Sequence, residues 1–390
     1  MGLDSQVDGK MSSEPLLETA KIKGLEVIME GPRPPRETEY SQVLDFLRQE
    51  LRPNAPWSLA NEYPTALSLS NIHNIRIITE SQKVLSHAVL KPLIFRTPLA
   101  VFKVAAIGSV VTDPGHRNQG LSSKILDECL SEARRQECDI AMLWTDLYDF
   151  YQKMNFELAG TELSFVIEKE FETPSFNLRF IQSSQVAAEA ILRLYTQHSV
   201  TSVRTAEDIR KFLQIPQTTV YTAWDAKNQL VAYAIEGKGA DLTGYIHEWG
   251  GSVPHLLSLL SHIRKEKKAP FTIITPQHAF NLNRHLQALH GCVSNQGFLG
   301  MIKLISTDQL FHKIKKAARS LGLMDFVLEQ RGTEYFLGFN EDILAINDEK
   351  DLVRILFGPS IEIPFQQKES SKKLSQFLPL PMWVWGWDSV

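Results

Sequence analysis

A loop around Arg117 combines residue types that suit anion binding. An apolar run ends at Val111, a turn follows at residues 113–115, and a polar segment leads through Arg117 to Gly120. Beyond Gly120, apolar residues recur at the spacing of an amphipathic helix. The helix N-terminus would present unpaired N–H groups, glycine lets a ligand approach the backbone, and Arg117 adds a charge-assisted contact. This pattern indicates a phosphate or pyrophosphate site, with an ordinary strand-to-helix turn as the alternative.

The elements that must hold this loop are predicted from apolar periodicity. Strands are predicted at 74–79, 83–95, 101–112, 139–145 and 162–167, and helices at 121–137 and 147–154. Strands that lead into a central helix and continue beyond it are typical of a mixed α/β layer fold. The loop therefore lies between the end of one strand and the start of the helix that follows it.

The stretch VVTDPGHRNQGLS at 110–122 resembles the acetyl-CoA motif of the GNAT acetyltransferases. That motif reads (Arg or Gln)-x-x-Gly-x-(Gly or Ala) after an apolar strand, and here Ser122 stands at its last position. The resemblance implies that acetyl-CoA is the co-substrate, with the free backbone N–H groups of Val110 and Thr112 holding the pantetheine arm and the thioester carbonyl. The residues it assigns to the cofactor are Val110, Val111, Thr112, Arg117, Asn118, Gln119, Gly120, Leu121, Ser122 and Ser123.

A second stretch strengthens the resemblance. Residues 150–156 read Phe-Tyr-x-Lys-x-Asn-Phe, where GNAT enzymes carry Phe-Tyr-x-Lys-x-Gly-Phe, and asparagine also tolerates a left-handed helix end. The family's general acid is the tyrosine of this motif, which corresponds to Tyr151, and Tyr148 is its competitor one turn earlier. Because a tyrosine has a pKa near 10 and a thiol about 8.5, either the site lowers the tyrosine pKa or Tyr151 donates a hydrogen bond to the thiolate. A purely structural tyrosine is the alternative.

The attacking amine also needs a base. A lysine-like amine has a pKa of about 10.4, so roughly one molecule in 10³ is neutral at pH 7, and a general base contributes typically 10²–10⁴ in rate. Many GNAT enzymes place a glutamate on the strand before the loop, but residues 100–112 contain no acidic side chain. In the Eis family the C-terminal carboxylate is the base, which implies Val390 here, with Asp146 or water as alternatives. A tail that serves only as a structural strap is equally compatible.

The order of elements extends the resemblance to the whole chain. The second half repeats the first, but only Gly250, Gly251 and Ser252 separate its strand 244–249 from its helix 253–263, so we expect no CoA site there. One active unit, one degenerate unit and a small third unit resemble Eis-type enzymes, whose third unit is similar to sterol carrier proteins. The implied fold is two tandem GNAT-like α/β folds with mixed sheets, followed by a small α/β domain. The predicted segments are a flexible N-terminus 1–23, a catalytic domain 24–172, a degenerate domain 173–306 and a C-terminal domain 307–390 whose tail returns to the active site.

Three tryptophans in the tail have two interpretations. Trp383, Trp385 and Trp387 alternate along the sequence, as do side chains on one face of a strand. They could line the acceptor pocket and hold an amine by cation–π contact, or they could simply pack in the core. Core packing is favoured.

Composition limits the function classes. The 41 Lys and Arg against 45 Asp and Glu give a net charge of −4, which argues against a nucleic acid as partner. No apolar run approaches 18 residues, so no membrane-spanning helix is expected. Three cysteines form no disulfide framework and favour a cytoplasmic setting, and the eleven histidines show no metal-ligand spacing.

The resemblance to GNAT enzymes implies an N-acetyltransferase that transfers the acetyl group directly from acetyl-CoA to a primary amine. The acceptor is a small molecule or a lysine. A transferase of a longer acyl chain and a non-catalytic acyl-CoA-binding or sensor protein are the alternatives. The acceptor's identity stays open, as does assembly into a homo-oligomer.

Overall fold

The computed structural model describes residues 17–22, 25–359 and 363–390. The strands are β1 Leu17–Ile22, β2 Leu25–Arg33, β3 Ile75–Glu80, β4 Lys83–Arg96, β5 Val101–Thr112, β6 Ile140–Leu143, β7 Glu157–Ala159, β8 Glu162–Ile167, β9 Arg179–Gln182, β10 Thr201–Ser202, β11 Thr219–Trp224, β12 Leu230–Lys238, β13 Asp241–Gly251, β14 Phe271–Pro276, β15 Cys292–Gly297, β16 Gly300–Leu304, β17 Phe326–Arg331, β18 Glu334–Phe339 and β19 Asp342–Ile346. The α-helices are α1 Tyr40–Leu51, α2 Leu59–Glu62, α3 Leu121–Arg135, α4 Tyr148–Gln152, α5 Ala188–Tyr195, α6 Ala206–Phe212, α7 Val253–Lys267, α8 Phe280–Gln287, α9 Thr307–Ser320, α10 Glu349–Phe357 and α11 Lys368–Leu374.

The first sheet has the strand order β1-β2-β3-β4-β5-β6-β16-β7, with β10 paired to β4. Strands β2 to β5 form an antiparallel meander, and β5 joins β6 in parallel through helix α3. The crossover connection is what a parallel pair requires. The apolar positions of α3, at Leu121, Ile125, Leu126, Cys129, Leu130 and Ala133, are all buried against this sheet.

Strand β5 separates from β6 before it reaches the loop. The two strands pair from Val104 to Ala106, and among the described residues no β6 partner follows. On its other side β5 shifts register against β4 between His87 and Val89, and Ser109 at this bulge has a φ of 51°. A bulge bends a strand and redirects its side chains. The last part of β5 is therefore free of strand pairing on the side that faces α4.

The first two sheets exchange strands. The second sheet has the order β15-β8-β14-β13-β12-β11-β9, so β8 lies in it, between β14 and β15. Strand β16 in return lies in the first sheet between β6 and β7. The prediction that 162–167 closes the first unit is therefore wrong, because neither predicted unit contains all the strands of its own sheet. An alternating pattern shows which face of a strand is buried and not which strand it pairs with.

The N-terminal segment differs from the prediction in part. Residues 1–23 were expected to be flexible, yet Leu17–Ile22 form β1, which pairs along its length with β2. Residues 1–16, 23 and 24 lie outside the described residues. The sequence patterns also missed β15 and β19, which are short strands with exposed positions.

The third sheet is an antiparallel meander of the three strands β17-β18-β19, with α9, α10 and α11 packed around it. After α11 the chain leaves this unit and runs back between the first two sheets. Trp383, Trp385 and Trp387 are almost completely buried there. Trp385 packs against Trp249 with ring centroids 5.1 Å apart, and Trp387 stacks on Phe212. The tryptophans therefore belong to the core, as favoured from the sequence.

A buried charge cluster fixes the tail to the second sheet. Arg204 donates to Asp388 of the tail at 2.7 Å and to Glu248 of β13 at 2.7 Å, and its guanidinium lies 3.9 Å from the centre of the Tyr195 ring. Ser202 also donates to Asp388, at 2.6 Å. Buried charges are tolerated only when they are paired and hydrogen-bonded, which this cluster achieves.

In the part of the chain that the structure describes, no helix is both long and apolar enough to cross a bilayer.

Candidate functional site

The loop after β5 adopts the conformation that its sequence predicts. Pro114–His116 form a 3-10 turn that Asp113 caps by accepting the Gly115 N–H at 2.9 Å. Asn118 and Gly120 have φ values of 63° and 76°, and Gly120 is the N-cap of α3. No atom lies within 4 Å of where a Cβ of Gly120 would be. The helix N-terminus therefore opens onto free space, as an anion site requires.

A cavity of about 520 Å³ lies along this loop; we call it the loop cavity. A chain of hydroxyl contacts braces one wall: Ser86 to Thr112 at 2.8 Å and Thr112 to Ser122 at 2.8 Å. Arg117 donates to the Thr112 carbonyl at 3.3 Å. The serine at the last motif position thus ties α3 to the strands. The predicted cofactor residues that line the loop cavity are Val110, Val111, Thr112, Arg117, Asn118, Gly120, Leu121, Ser122 and Ser123, whereas Gln119 is exposed and does not line it.

A second cavity, of about 500 Å³, lies where β5 and β6 have separated; we call it the tail cavity. Its walls come from residues 107–110 of β5, residues 143–147 after β6, and the tail residues Val384, Gly386, Ser389 and Val390. The two cavities share Leu51, Val110, Leu147 and Tyr151 as lining residues. They therefore meet at the end of β5, beside Tyr151.

Tyr151 is the tyrosine at this junction. It is 6% exposed, and its ring makes edge-to-face contacts with Phe150 at 5.0 Å and Phe156 at 5.9 Å. Among the described residues, none forms a hydrogen bond with its hydroxyl, and burial raises the pKa of Tyr151 to about 12. Tyr148, its competitor, is 44% exposed and lines neither cavity. The Tyr151 hydroxyl is therefore protonated and able to donate to a bound molecule.

Val390 lies directly against β5. A Cβ placed on Gly108 would come within 2.4 Å of the Val390 carbonyl carbon and 2.5 Å of its oxygen. The absence of a side chain at Gly108 is thus what allows the last residue into the tail cavity. Alternation along the tail directs the three tryptophans into the core while Val384 and Gly386 face the cavity.

The tail cavity also contains acidic groups. Asp146, three residues beyond the end of β6, lines it and is exposed. Glu162 lines it too, and burial raises the pKa of this carboxyl to about 7. Asp241 is paired with Arg52 at 2.9 Å. Sequence reasoning missed Glu162 and Asp241, because the first reaches the cavity through the exchange of β8 and the second comes from the second sheet; no local pattern marks either.

The corresponding turn of the second sheet differs from the loop. β13 is followed immediately by Ser252 and α7, so no loop of the Arg-x-x-Gly type separates them. A Cβ on Gly250 would lie 2.5 Å from the Tyr233 ring, so that ring occupies the space beside the turn.

Within the described ranges, no group of three or more His, Cys, Asp or Glu side chains is arranged to hold a metal ion.

Two histidines next to the tail, the fully buried His247 and the partly buried His198, make the stability of the fold sensitive to acid. His198 packs on Trp385 with ring centroids 4.2 Å apart, and the His247 ring lies against Gly386. Burial lowers the pKa of His198 to about 4 and that of His247 to about 3. At a pH below 6.5, the ordinary histidine pKa, these two side chains bind protons in the unfolded chain but stay neutral in the folded chain. The free energy of unfolding should therefore fall as the pH drops from 6.5 toward 4, by about 1.4 kcal/mol per pH unit and per histidine.

Urea unfolding at pH 7 and pH 5 measures this effect. Between pH 7 and pH 5, we expect the free energy of unfolding of His198→Phe to fall by about 2 kcal/mol less than that of the wild type. His290→Gln, at an exposed position, is the matched control and should behave like the wild type. Equal losses in all three proteins would contradict the prediction.

Comparisons with known proteins identify the family of one domain and the overall fold. Residues 32–159 match the family model described as an acetyltransferase (GNAT) domain. Solved structures with a similar fold include a probable N-acyltransferase from Enterococcus faecalis V583, at 12% identity and a TM-score of 0.58, covering 89% of this chain and 90% of that one. A GCN5-related N-acetyltransferase from Kribbella flavida is similar at 15% identity and a TM-score of 0.53, covering 86% of this chain and 82% of that one. Eis1 from Mycobacterium abscessus is similar at 10% identity and a TM-score of 0.57, covering 83% of this chain and 88% of that one. No protein with a curated description matches the chain in sequence.

Proposed function

We propose that the GNAT acetyltransferase domain formed by residues 32–159, within an Eis-type tandem architecture, transfers the acetyl group of acetyl-CoA directly to a primary amine. The donor binds in the loop cavity, and the acceptor binds in the tail cavity. The carrying observation is that the two cavities meet at Val110 and Tyr151. A donor and an acceptor placed there have their reacting atoms at one point, which supports direct transfer without a covalent enzyme intermediate.

Donor binding follows from the loop. The N-terminus of α3 and Arg117 suit a pyrophosphate, because both place positive charge or N–H groups toward an anion. The unpaired edge of β5 offers backbone N–H groups at Val110 and Thr112 to the pantetheine arm and the thioester carbonyl.

The transfer moves one proton and breaks one bond. The neutral amine nitrogen attacks the thioester carbonyl carbon, the carbon–sulfur bond breaks, and the sulfur leaves as a thiolate. The α-carboxylate that Val390 carries takes the proton from the amine, since this group lies at Gly108 inside the tail cavity. Asp146, water or Glu162 would take this role if the carboxylate were not the base.

Tyr151 acts as a hydrogen-bond donor to the leaving sulfur. Its pKa of about 12 lies well above the ordinary thiol value of about 8.5, so complete proton transfer would cost roughly 5 kcal/mol. A donor held at the sulfur stabilises the developing negative charge without giving up its proton. The two possibilities that the sequence left open are thereby reduced to one in this proposal.

Release of CoA from acetyl-CoA, followed with a thiol reagent, tests the function. The acceptor panel contains polyamines, aminoglycosides and lysine peptides, and mass spectrometry must find the acceptor heavier by one acetyl group. Acyl-CoA donors of increasing chain length in the same assay distinguish acetyl transfer from longer acyl transfer. Binding of acetyl-CoA without turnover of any amine would favour the non-catalytic binding protein instead.

A further inference from the structure

Lys238 is a buried lysine at a junction of three parts of the molecule. It ends β12 of the second sheet and is 1% exposed. Its ammonium donates to the Gly386 carbonyl at 2.9 Å, the Ser389 carbonyl at 2.6 Å and the Ser389 hydroxyl at 2.9 Å. It also lies 4.5 Å from the centre of the Tyr63 ring, which follows α2. All three N–H donors of this lysine are thus directed at the tail.

The position of these contacts matters more than their number. Ser389 immediately precedes Val390, so a donor on the Ser389 carbonyl fixes the orientation of the peptide bond that joins the two residues. Only the φ and ψ rotations of Val390 then separate this fixed peptide plane from the carboxyl group. The contact acts on the last link of the tail, two residues beyond the tryptophans that bury it.

A separate cluster already holds the tail in place. Arg204 binds Asp388, and the Trp385 indole donates to the Val200 carbonyl at 3.0 Å. These contacts and the buried tryptophan rings hold residues 383–388, whereas Lys238 binds Ser389, the residue next to the end. A buried ammonium is costly unless it is fully paired, so a lysine at this point calls for a role other than docking.

We propose that Lys238 is a positioning residue of the active site, which orients the α-carboxyl group of Val390 toward the acceptor amine. The inference rests on the proposed function, since it assigns the lysine to the base of that reaction. It also gives the second sheet, which has no CoA loop of its own, a part in the reaction. The second sheet would hold the base while the first holds the donor.

The charges around Lys238 make the device sensitive to pH. Burial lowers the pKa of Lys238 to about 7, Asp388, Asp241 and Glu62 act in the opposite direction, and Arg204 lowers it further. The neutral His247 ring of β13 also faces the ammonium. The Tyr63 ring, which follows α2, packs over it. Below pH 7 the ammonium has three donors for three acceptors, and above pH 7 the neutral amine has two. Positioning should therefore weaken as the pH rises through about 7.

The test compares Lys238→Met, which removes the donors and keeps the chain length, with Lys303→Met. Lys303 is a nearly buried lysine of β16 whose pKa is also lowered by burial, and it lies outside both cavities. We expect Lys238→Met to lower kcat about 10- to 50-fold with the KM for acetyl-CoA changed less than twofold. Log kcat of the wild type should level off near pH 7, whereas that of Lys238→Met should continue to rise as the acceptor loses its proton. Unchanged kcat and an unchanged pH profile would overturn the proposal.

A readout without turnover separates this proposal from the proposed function. Carboxypeptidase removes Val390 only when the last residues leave their site, and intact mass spectrometry follows the loss. We expect removal at least tenfold faster in Lys238→Met than in the wild type and in Lys303→Met. If no amine is acetylated, the function fails while this result still reports whether Lys238 fixes the tail end. If Lys238→Met does not fold, Ser389→Ala removes one of the three acceptors; a kcat two- to fivefold lower supports the proposal and an unchanged kcat overturns it.

Discussion

Replacing Tyr151 by phenylalanine should lower kcat by about 10²- to 10³-fold, because the leaving sulfur loses the donor that stabilises its charge. The ring contacts with Phe150 and Phe156 stay in place, so the fold should be retained. The KM for acetyl-CoA should change only a few-fold, since the donor acts mainly in the transition state. Steady-state CoA release at saturating acetyl-CoA and amine measures the change.

The control for this substitution is Tyr148→Phe. Tyr148 precedes Tyr151 by three residues, is largely exposed and lines neither cavity. We expect its kcat within twofold of the wild type. A loss confined to Tyr148→Phe, or no loss in either variant, would sink the assignment of Tyr151.

Altering the end of the tail should have a comparable effect. The protein used is one that intact mass spectrometry shows to end at Val390. Deleting this residue or appending one glycine moves the carboxylate away from Gly108. A lost general base costs typically 10²–10⁴ in rate, and we expect a loss of this size in kcat for both variants. Acetyl-CoA binding, measured by calorimetry, should remain, because the loop cavity does not include the tail.

Gly108→Ala tests the same contact from the other side and leaves the terminus chemically intact. The added methyl group would approach the Val390 carbonyl carbon to 2.4 Å, so the tail end must move. We expect kcat to fall at least tenfold, since a base displaced by about an ångström loses most of its effect. Gly297→Ala is the matched control, because nothing lies within 4 Å of its Cβ position. If tail variants and Gly108→Ala all remain active, the proton goes to Asp146, Glu162 or water instead.

These two experiments also divide the site into independent parts. Tyr151 acts on the leaving sulfur and Val390 on the attacking amine, so each variant should retain the pH dependence that the other group imposes. The Val390 variants should need a more alkaline solution to recover rate, because the free amine must then form without a base. Tyr151→Phe should keep the pH profile of the wild type at a lower rate.

The sequence by itself determined the parts of the site that depend on short spacing. The Arg117-x-x-Gly120 loop, the helix behind it and the tyrosine motif all lie within about fifty consecutive residues. Local conformational requirements, such as the positive φ at Gly120, leave a mark in residue type that can be read directly. The order of strands and helices was readable for the same reason, apart from short strands such as β15 and β19.

Only the tertiary structure decided which distant residues share the tail cavity. The exchange of β8 and β16 brings Glu162 there, the second sheet supplies Asp241, and the contact of Gly108 with Val390 joins residues 282 positions apart, from 108 to 390. It also decided that Tyr151, and not Tyr148, lies at the junction of the cavities. The physical reason is that an apolar pattern specifies which face of an element is buried, whereas its partner is chosen by the packing of the whole chain.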